Sequence, residues 1–577
     1  MTAHLSLVLA AGAVGVVLVS GGLGRRRHGE PTVGAAPNRR TGAGRSRANR
    51  AKAATGAPGG GLLRSFFLPP HAEVADGGAR WARHADLRPL VCAGLAPGRL
   101  VLGDEVGRGL GRQVLAAEPA QSVAVIGPTQ SGKTTALAIP AILGWRGPVL
   151  AASVKTDLVR DTLEWRRRCG TVWCFDPAGT TGLPRNIWSP VSAARTWPLA
   201  RRVAADLTEV SRGEGTTADG EFWYATAAKL LAPLLFAAAS AGRTMQDVVR
   251  WVDTQETEEV LDALHAAGVP EALQAARATW LRDERQRSAV YTTAETVLEP
   301  FAEPDVADHA EGAVDFQPDH TPPYGLPSAG VRAAPWTAGE IDSEALLRGQ
   351  HTLYICAPAH DQQRLRALFA ALVSQVVHAA FAAAARAGRP LDPPLLVVLD
   401  EAANIAPLKE LDGLAATCAG HGVQLVTVWQ DLAQVRARYG ERAATVVNNH
   451  RAKLFLPGIA DPGTLDFASH LAGDQELPTP SVTVGARGER TVTTSPQVRR
   501  LLPPDTLRRL PKGSAVLLYG ALPPARLRLR PWFSNAELAE RGGSGQPGER
   551  QAGPKKWRRG SRSRREKARN AALQSKP

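Results

Sequence analysis

A glycine-rich loop at residues 127–134, Gly-Pro-Thr-Gln-Ser-Gly-Lys-Thr, has the residue types and the spacing to bind a phosphate chain. In the pattern G-x-x-x-x-G-K-[ST], the glycines let backbone N–H groups converge on phosphate oxygens, and the following helix adds the positive end of its dipole. The lysine reaches the outer phosphates, and the last hydroxyl ligates Mg²⁺. The predicted ATP-binding residues are Gly127, Pro128, Thr129, Gln130, Ser131, Gly132, Lys133, Thr134 and Thr135.

The residues around this loop have the pattern that a phosphate-binding loop requires. Residues 122–126 are typical of a buried strand, and residues 134–143 are typical of a helix. The alternative is a glycine-rich turn without function. A strand, a loop and a helix in this order favour the nucleotide site.

Two carboxylates could supply the chemistry of hydrolysis. Asp400 and Glu401 follow the apolar run 395–399, which is typical of a central parallel strand. Such a strand ends at the sheet edge where α/β proteins bind ligands. We predict that Asp400 holds Mg²⁺ through its water shell, together with Thr134, and that Glu401 is the general base. The alternative is a strand that ends in a solvated acidic turn.

A glutamine ends the next predicted strand, residues 423–430. Gln430 could contact the γ-phosphate or the attacking water and report hydrolysis to neighbouring elements. An ordinary polar residue at a strand end explains it equally well. The predicted catalytic residues are Lys133, Glu401 and Gln430.

The elements that position these residues alternate between strands and helices from residue 121 onward. Such alternation predicts an α/β fold with a mostly parallel sheet covered on both faces. Helical spacing replaces the strand pattern between residues 195 and 335, which predicts an inserted all-helical domain. A hairpin of residues 98–103 and 112–117 is expected ahead of the nucleotide strand. Further strands are expected at 147–153, 171–179, 351–358, 452–458 and 514–520, and a long helix at 361–387.

The chain begins with nineteen uncharged residues, Leu5–Leu23, which can just cross a bilayer as a helix. Three arginines follow this segment and none precedes it, so the charge bias places the bulk of the chain in the cytoplasm. We therefore predict one N-terminal transmembrane helix in the cell inner (plasma) membrane. A signal peptide or a buried helix are the alternatives. The predicted domains are an anchor at 1–23, a disordered basic linker at 24–65, the nucleotide domain at 66–194 and 336–535, the helical insert at 195–335, and a disordered basic tail at 536–577.

The positive charge of the chain lies in its two tails. The net charge is +15, with +9 between residues 25 and 64 and +10 between residues 541 and 576, which leaves about −4 for the rest. The folded body is therefore not a basic DNA-binding block as a whole. The C-terminal tail is either a solvated end or a contact for nucleic acid or lipid phosphates. The five cysteines are scattered, which favours a reduced protein without a zinc site or a disulfide framework.

These motifs resemble those of the type IV secretion coupling proteins, the TraG/TraD family of conjugation ATPases. The resemblance runs from about residue 80 to residue 535 and includes "GPTQSGKTT", "SVKTDL", "LLVVLDEAANIAPL", "VTVWQDLAQVRARYG" and "NNHRAKL". It implies a RecA-like P-loop NTPase with a helical insert, a membrane anchor and a hexameric ring. It also implies ATP and Mg²⁺ as cofactors, and DNA, its relaxase and the secretion channel as partners. Lys133, Thr134, Asp400, Glu401 and Gln430 match the nucleotide motifs of the family.

Two features depart from the family pattern. Family members often have an arginine about eleven residues before the glutamine, where it serves the neighbouring subunit's nucleotide. This chain has Ala419 there, and Arg451 is a possible substitute or an ordinary surface residue. Members also commonly have two membrane spans, whereas this sequence shows one.

The leading hypothesis is a membrane-anchored ATPase that brings DNA, expected to be single-stranded, with its relaxase to a type IV secretion channel and drives transfer. The first alternative is a nucleotide-gated recruitment platform with little turnover. It is suggested by Ala419, which stands where family members often have an arginine. The second alternative is a pump of double-stranded DNA that resembles FtsK. The absence of a recognisable winged-helix module at the C-terminus argues against the pump.

Overall fold

Short apolar runs form a central β-sheet, because residues such as Val, Ile and Leu pack well on a pleated surface that is buried on both sides. In a computed structural model, the described residues are 78–542 apart from 96, 107–112, 185, 212–217, 303–305, 307–338, 359, 485–487 and 489. They belong to one compact unit. The predicted anchor at 1–23, the linker at 24–65 and most of the tail at 536–577 lie outside the described residues.

The described part of the chain contains fourteen strands. They are β1 (Val91–Cys92), β2 (Val101–Glu105), β3 (Val114–Ala116), β4 (Val123–Ile126), β5 (Val149–Ser153), β6 (Val172–Phe175), β7 (Thr352–Cys356), β8 (Leu395–Leu399), β9 (Val423–Trp429), β10 (Ala452–Phe455), β11 (Asp474–Val484), β12 (Arg490–Arg500), β13 (Ser514–Tyr519) and β14 (Ala525–Arg528). The strands predicted from the sequence, including the β2–β3 hairpin, are confirmed.

Twelve of these strands form one sheet in the order β1-β3-β2-β14-β13-β10-β4-β9-β8-β5-β7-β6. The seven strands from β10 to β6 are parallel, and β13, β14, β2, β3 and β1 extend the sheet in antiparallel fashion. The prediction of an α/β fold with a mostly parallel sheet is therefore confirmed. β9 lies between β4, which precedes the glycine-rich loop, and β8, which precedes the two carboxylates.

Helices cover both faces of this sheet. They are α1 (Ile139–Gly144), α2 (Asp157–Cys169), α3 (Pro190–Ala193), α4 (Trp197–Ser211), α5 (Ala218–Ser240), α6 (Met245–Asp253), α7 (Glu258–Ala267), α8 (Pro270–Trp280), α9 (Glu284–Leu298), α10 (Ser343–Leu346), α11 (Gln362–Ala387), α12 (Ala402–Ile405), α13 (Leu411–His421), α14 (Leu432–Tyr439), α15 (Ala443–Asn449), α16 (Pro462–Ala472), α17 (Pro504–Arg508) and α18 (Ala536–Arg541). Short 3₁₀ turns occupy Arg88–Leu90, Glu299–Phe301, Gly440–Arg442 and Trp532–Ser534, and a π-helical turn, Thr134–Ala138, precedes α1.

The sheet separates two hydrophobic cores because successive side chains of a strand point to opposite faces. On β4, Val123 and Val125 enter the core that contains α1, whereas Ala124 and Ile126 enter the core that contains α4, α5 and α11. The second core continues into α6–α9, which follow β6 in the chain. The helices of the predicted insert therefore share a continuous core with one face of the nucleotide sheet.

Two helices in the described part of the chain are long and apolar enough to cross a membrane. They are Gly220–Ser240 and Arg364–Ala387, within α5 and α11, and 61% of the apolar window of each is buried inside the protein. Leu230, Leu234 and Val373 are among their fully buried side chains. The burial identifies both as core helices of the folded body.

The elements that the sequence analysis does not predict include a pair of strands and a short helix. β11 and β12 form a separate two-stranded sheet, which we call the ribbon. α18 lies inside the predicted tail, and Arg541 at its end donates to the backbone oxygen of Leu143 at 2.9 Å and stacks on Trp165 at 4.7 Å. The tail prediction is thus wrong at its first residues, because apolar and stacking contacts hold α18 on the nucleotide domain although the segment is polar.

Candidate functional site

The glycine-rich loop wraps tightly at the end of β4. A Cβ atom on Gly127 would lie 2.8 Å from the Leu456 Cβ and 2.9 Å from the Ser131 Oγ, so a larger residue is excluded there. Gly132 has φ +99° and Gln130 has φ 64°, both in the left-handed region. Ser131 is buried, and its hydroxyl has no partner among the described residues. This is the cradle of backbone and hydroxyl groups that phosphate binding requires.

Lys133 lies inside the loop rather than in solvent. Its side chain is buried, and its ammonium group donates to the backbone oxygens of Gly127 and, at 3.1 Å, Pro128. Burial lowers the pKa of Lys133, and the nearby carboxylates of Asp400 and Glu401 oppose that shift. A buried ammonium on two carbonyl oxygens can exchange these acceptors for phosphate oxygens without a new cost of desolvation.

The loop and the acidic strand end meet directly. The Thr134 hydroxyl donates to the Asp400 Oδ2 at 3.1 Å, although the two residues are 266 positions apart. The Ser153 hydroxyl at the end of β5 lies 3.5 Å from the same oxygen. The hydroxyl and the carboxylate predicted to serve one Mg²⁺ ion are thus side by side.

Asp400 is held as a buried acid. Burial raises its pKa to about 6, the carboxylate of Asp157 adds to this rise, and the hydrogen bond from Thr134 opposes it. A carboxylate that loses hydration in this way binds a divalent cation readily, because the cation replaces the missing water.

Glu401 has a strained backbone conformation. Its φ of 64° is uncommon for a residue other than glycine, and such strain is found mainly at functional sites. The turn is held by Asn404 and Ile405, whose N–H groups donate to the Glu401 backbone oxygen at 2.9 and 3.2 Å. The turn places the Glu401 side chain next to Asp400 at the carboxyl edge of the sheet.

Gln430 directly follows β9, the strand that lies between β4 and β8. The Gly127 N–H donates to the backbone oxygen of Trp429 at 3.1 Å, so the residue after Trp429 lies beside the start of the loop. The N–H of Gln430 donates to the side-chain oxygen of Gln434 at 2.9 Å. Gln430 therefore follows the strand that lies between β4 and β8 in the sheet.

The arginine that the sequence offers as a substitute for Ala419 lies elsewhere. Arg451 precedes β10, which runs parallel to β4 with Ala452 opposite Val123, so it lies at the amino edge of the sheet. Its Nε is 3.0 Å from a Glu118 carboxylate oxygen. Arg451 thus does not contribute to the site of its own chain.

Two residues of the site are missing from the sequence-based list. Ser153 contacts Asp400, and Asp157 raises the pKa of Asp400. Both belong to "SVKTDL", which begins at the last residue of β5, and β5 pairs directly with β8. In the sequence, these residues are visible only as a polar cluster at the end of a predicted strand. The strand order is needed to show that this strand end lies beside Asp400.

The residues present fit a magnesium nucleotide. The loop offers backbone N–H groups, the free Ser131 hydroxyl and the Lys133 ammonium, which are donors suited to phosphate. Thr134 and Asp400 offer hard oxygen ligands, which Mg²⁺ prefers, and they come with few other protein ligands.

Two family models match the chain. The family described as "Type IV secretory system Conjugative DNA transfer" matches residues 96–319. The family described as "TraM recognition site of TraD and TraG" matches residues 394–512. The first segment contains the glycine-rich loop and the helices up to α9, and the second contains Asp400, Glu401, Gln430 and the ribbon.

Individual relatives and solved structures agree with these matches. The conjugal transfer protein TraG of Escherichia coli is 26% identical over 495 residues, which are 76% of this chain and 71% of that protein. Protein VirD4 of Rhizobium rhizogenes is 23% identical over 493 residues, covering 83% of this chain and 68% of that protein. Among solved structures, the bacterial conjugative coupling protein TrwBdeltaN70 has a TM-score of 0.54 at 18% identity, covering 71% of this chain and 85% of that one. The plasmid coupling protein TrwB in complex with ADP and Mg²⁺ has a TM-score of 0.53 at 18% identity, covering 75% and 95%.

Proposed function

Because the chain belongs to the family of type IV secretion coupling proteins, we propose that it is an ATPase that delivers DNA to a conjugation channel. The DNA is expected to be single-stranded and joined to its relaxase. The proposal includes anchoring in the cell membrane through Leu5–Leu23 and assembly into a ring of six copies. The relative named conjugal transfer protein TraG and the structure named bacterial conjugative coupling protein TrwBdeltaN70 support this function.

The observation that carries the proposal is the contact between Thr134 and Asp400. These residues come from distant parts of the chain, and their oxygens lie 3.1 Å apart. A phosphate loop by itself only binds a nucleotide. A carboxylate beside the loop hydroxyl adds the metal ligand that phosphoryl transfer needs.

Each residue then has a defined role. ATP bound with Mg²⁺ supplies the γ-phosphoryl group and the metal charge. Lys133 donates to phosphate oxygens, Asp400 and Thr134 hold the metal, and Glu401 accepts the proton of the attacking water. Gln430 orients that water from its position directly after β9, the strand between β4 and β8.

The transfer of force would use the shared core. Lys409, eight residues after Glu401, makes an ion pair with Glu209 of α4 at 2.9 Å. The segment after the general base therefore contacts the first long helix of the insert. A change at the nucleotide can pass to the insert, which is where we expect the DNA–relaxase substrate to be recognised.

The test uses the full-length chain, solubilised with a mild detergent, and two variants. Lys133→Ala should lose nucleotide binding. Glu401→Gln should still bind ATP, while its hydrolysis rate should fall by at least ~10²-fold, because proton transfer by a positioned base contributes about that much. Single-stranded DNA should stimulate the wild-type rate.

Transfer between cells is measured in parallel with the same variants. Both should abolish transfer, because one loses the nucleotide and the other cannot use it. A Glu401→Gln protein that hydrolyses ATP at the wild-type rate would refute the assigned base. Wild-type protein without DNA-stimulated hydrolysis at any concentration would refute the motor.

The recruitment platform is the second candidate, and the alanine at position 419 favours it. Ala419, on α13, stands where family members often have the arginine that serves the neighbouring subunit's nucleotide, so this chain has no arginine at that position. An arginine finger raises the rate of related enzymes by ~10³–10⁵-fold. Transfer that survives Glu401→Gln and fails without the helical insert would support the platform over the motor.

A further inference from the structure

A second lysine, Lys155, lies beside the candidate site and has no role in the mechanism described above. It follows β5 by two residues, within the "SVKTDL" segment. Its side chain is exposed, and it makes no ion pair with another residue in the described part of the chain. Its ammonium group is therefore available to a ligand.

The backbone of Lys155 is fixed close to the proposed metal ligand. Its N–H donates to the Ser153 hydroxyl oxygen at 3.1 Å, and that hydroxyl lies 3.5 Å from the Oδ2 of Asp400. β5 pairs with β8 as far as Ala152 opposite Leu399, so the two strands end at the same level of the sheet. A lysine carries its ammonium on a flexible four-carbon stem, which is long enough to bring the charge to the site.

Lys133 and Lys155 approach the site from opposite sides. In the sheet order β4-β9-β8-β5, the glycine-rich loop follows β4 and Lys155 follows β5, so the strand that precedes Asp400 and Glu401 lies between them. Burial is the main cause that lowers the pKa of Lys133, and the positive charge of Lys155 lowers this pKa further. The charge of Lys155 therefore acts on the loop across the acidic strand end.

The Lys155 side chain has space to move. Together with Thr156, Thr180 and Cys356, it lines a cavity of about 340 Å³ where β5 and β7 end. An exposed lysine beside such a cavity can turn toward a ligand without breaking a buried contact. The main cost of this movement is the conformational entropy of the side chain.

The reaction proposed for this site needs a cation in addition to Lys133 and the metal. The transferred phosphoryl group carries negative charge on its oxygens, and related enzymes stabilise that charge with an arginine finger. Ala419 stands where family members often have the arginine that serves the neighbouring subunit's nucleotide. A lysine at the end of β5 can supply the positive charge from within the same chain.

We propose that Lys155 is a further catalytic residue, whose ammonium donates to a γ-phosphate oxygen of ATP bound at the glycine-rich loop. This inference rests on the proposed function, because it assigns a second lysine to the same reaction. In that reaction, the water oxygen bonds to the γ-phosphorus, the bond to the β–γ bridging oxygen breaks, and Glu401 accepts the proton of the water. Lys155 keeps its own proton and stabilises the negative charge of the transferred group.

The first test measures binding and does not depend on turnover. Isothermal titration calorimetry of the full-length, detergent-solubilised chain gives the affinities for ADP and for a non-hydrolysable ATP analogue, each with Mg²⁺. Lys155→Gln should weaken binding of the analogue at least ~10-fold and leave ADP binding unchanged, because only the analogue has the γ-phosphate that the charged hydrogen bond needs. Unchanged affinity for the analogue, or equal losses for the two nucleotides, would overturn the proposal.

The second test measures steady-state hydrolysis of ATP. Lys155→Gln should lower kcat by ~10²–10³-fold, which is the usual loss when one donor to a developing charge is removed. Lys155→Arg keeps the positive charge and should recover most of this loss. Lys229→Gln removes an exposed lysine of α5 and should match wild type in both tests. A wild-type kcat in Lys155→Gln, or Lys155→Arg no faster than Lys155→Gln, would overturn the catalytic role.

The two tests separate this proposal from the proposed function. Suppose that the chain distinguishes the ATP analogue from ADP through Lys155 but does not hydrolyse ATP. That result would support the Lys155 contact and refute the motor. A wild-type chain with DNA-stimulated hydrolysis, together with a Lys155→Gln variant that behaves in the same way, would support the motor and refute the role of Lys155.

Discussion

Replacing Asp400 with asparagine should stabilise the protein in the absence of metal and nucleotide. The carboxyl is buried, and its pKa in the folded protein is about 6, against an ordinary value of 3.8. An acid whose pKa rises on folding is harder to ionise in the folded protein, so its ionised form lowers the free energy of unfolding at neutral pH. Asparagine has nearly the same shape and can still accept the hydrogen bond from Thr134.

The size of this effect follows from the pKa difference. A shift of about 2 units corresponds to roughly 3 kcal/mol at ~1.4 kcal/mol per unit. The substitution also removes a charge that favours the buried ammonium of Lys133, which offsets part of the gain. We expect the free energy of unfolding of Asp400→Asn to exceed that of wild type by about 1–3 kcal/mol near neutral pH.

The sign of the pH dependence is fixed by proton binding. Between the unfolded pKa of 3.8 and the folded pKa of about 6, the folded wild-type protein holds more protons at Asp400 than the unfolded chain does. The contribution of Asp400 to stability therefore falls as pH rises through this window and stays constant above it. The gain from asparagine should vanish below about pH 4, reach roughly half of its full value near pH 5, and be complete above about pH 7.

Urea unfolding in the presence of EDTA, at about pH 5 and about pH 7.5, measures this gain. Asp466→Asn, at an exposed position of α16, is the control and should change the free energy by no more than ~0.5 kcal/mol. The Asp400→Asn protein should also lose Mg²⁺-dependent nucleotide binding, because Asp400 is a proposed ligand of the metal. The buried carboxylate would then be a functional group that is kept although it lowers stability. A lower stability of Asp400→Asn than of wild type at neutral pH would refute the reasoning.

Two further predictions concern packing inside the nucleotide domain and between that domain and the insert. Arg166→Ala should lower the free energy of unfolding by about 3–5 kcal/mol, because the buried guanidinium donates to the backbone oxygens of four residues and to a threonine hydroxyl. Arg168→Ala, which removes an exposed arginine two positions away, should cost no more than ~0.5 kcal/mol, and equal losses in denaturant unfolding would contradict this view. A double-mutant cycle on Lys409 and Glu209 should give a coupling energy of ~0.2–1 kcal/mol, and exchanging the two charges should recover most of it. A coupling of zero would show that this ion pair does not join the insert to the segment after Glu401.

Much of the fold could be predicted because strands and loops leave local signals. The runs that became β4, β5, β6, β7, β8 and β9 are apolar and bounded by turn residues, so their positions are readable without a structure. The ribbon could not be predicted in the same way. Its strands contain prolines and many hydroxyl residues, and nearly all of their described residues are exposed on both faces of the ribbon.

Some residues of the candidate site could likewise be predicted from the sequence, and others could not. The roles assigned to Lys133, Thr134, Asp400 and Glu401 rest on short motifs, and the structure brings these residues together. The roles of Ser153 and Asp157 could not be predicted from the sequence, because they depend on β5 being the neighbour of β8. Strand order in a parallel sheet is set by the crossover connections and the packing of distant helices, which leave no periodic signal in the chain.

The amino-acid sequence by itself determined the chemistry available to this protein: a phosphate loop, two adjacent carboxylates at the end of a buried strand, and a glutamine at the end of another. These signals are local, because loop conformation and strand burial depend on neighbouring residue types. Only the tertiary structure decided that β9 lies between β4 and β8, that Thr134 contacts Asp400, and that the pKa of Asp400 is raised to about 6. Desolvation and strand order arise from contacts between residues far apart in the chain, so they exist only once the sheet has assembled.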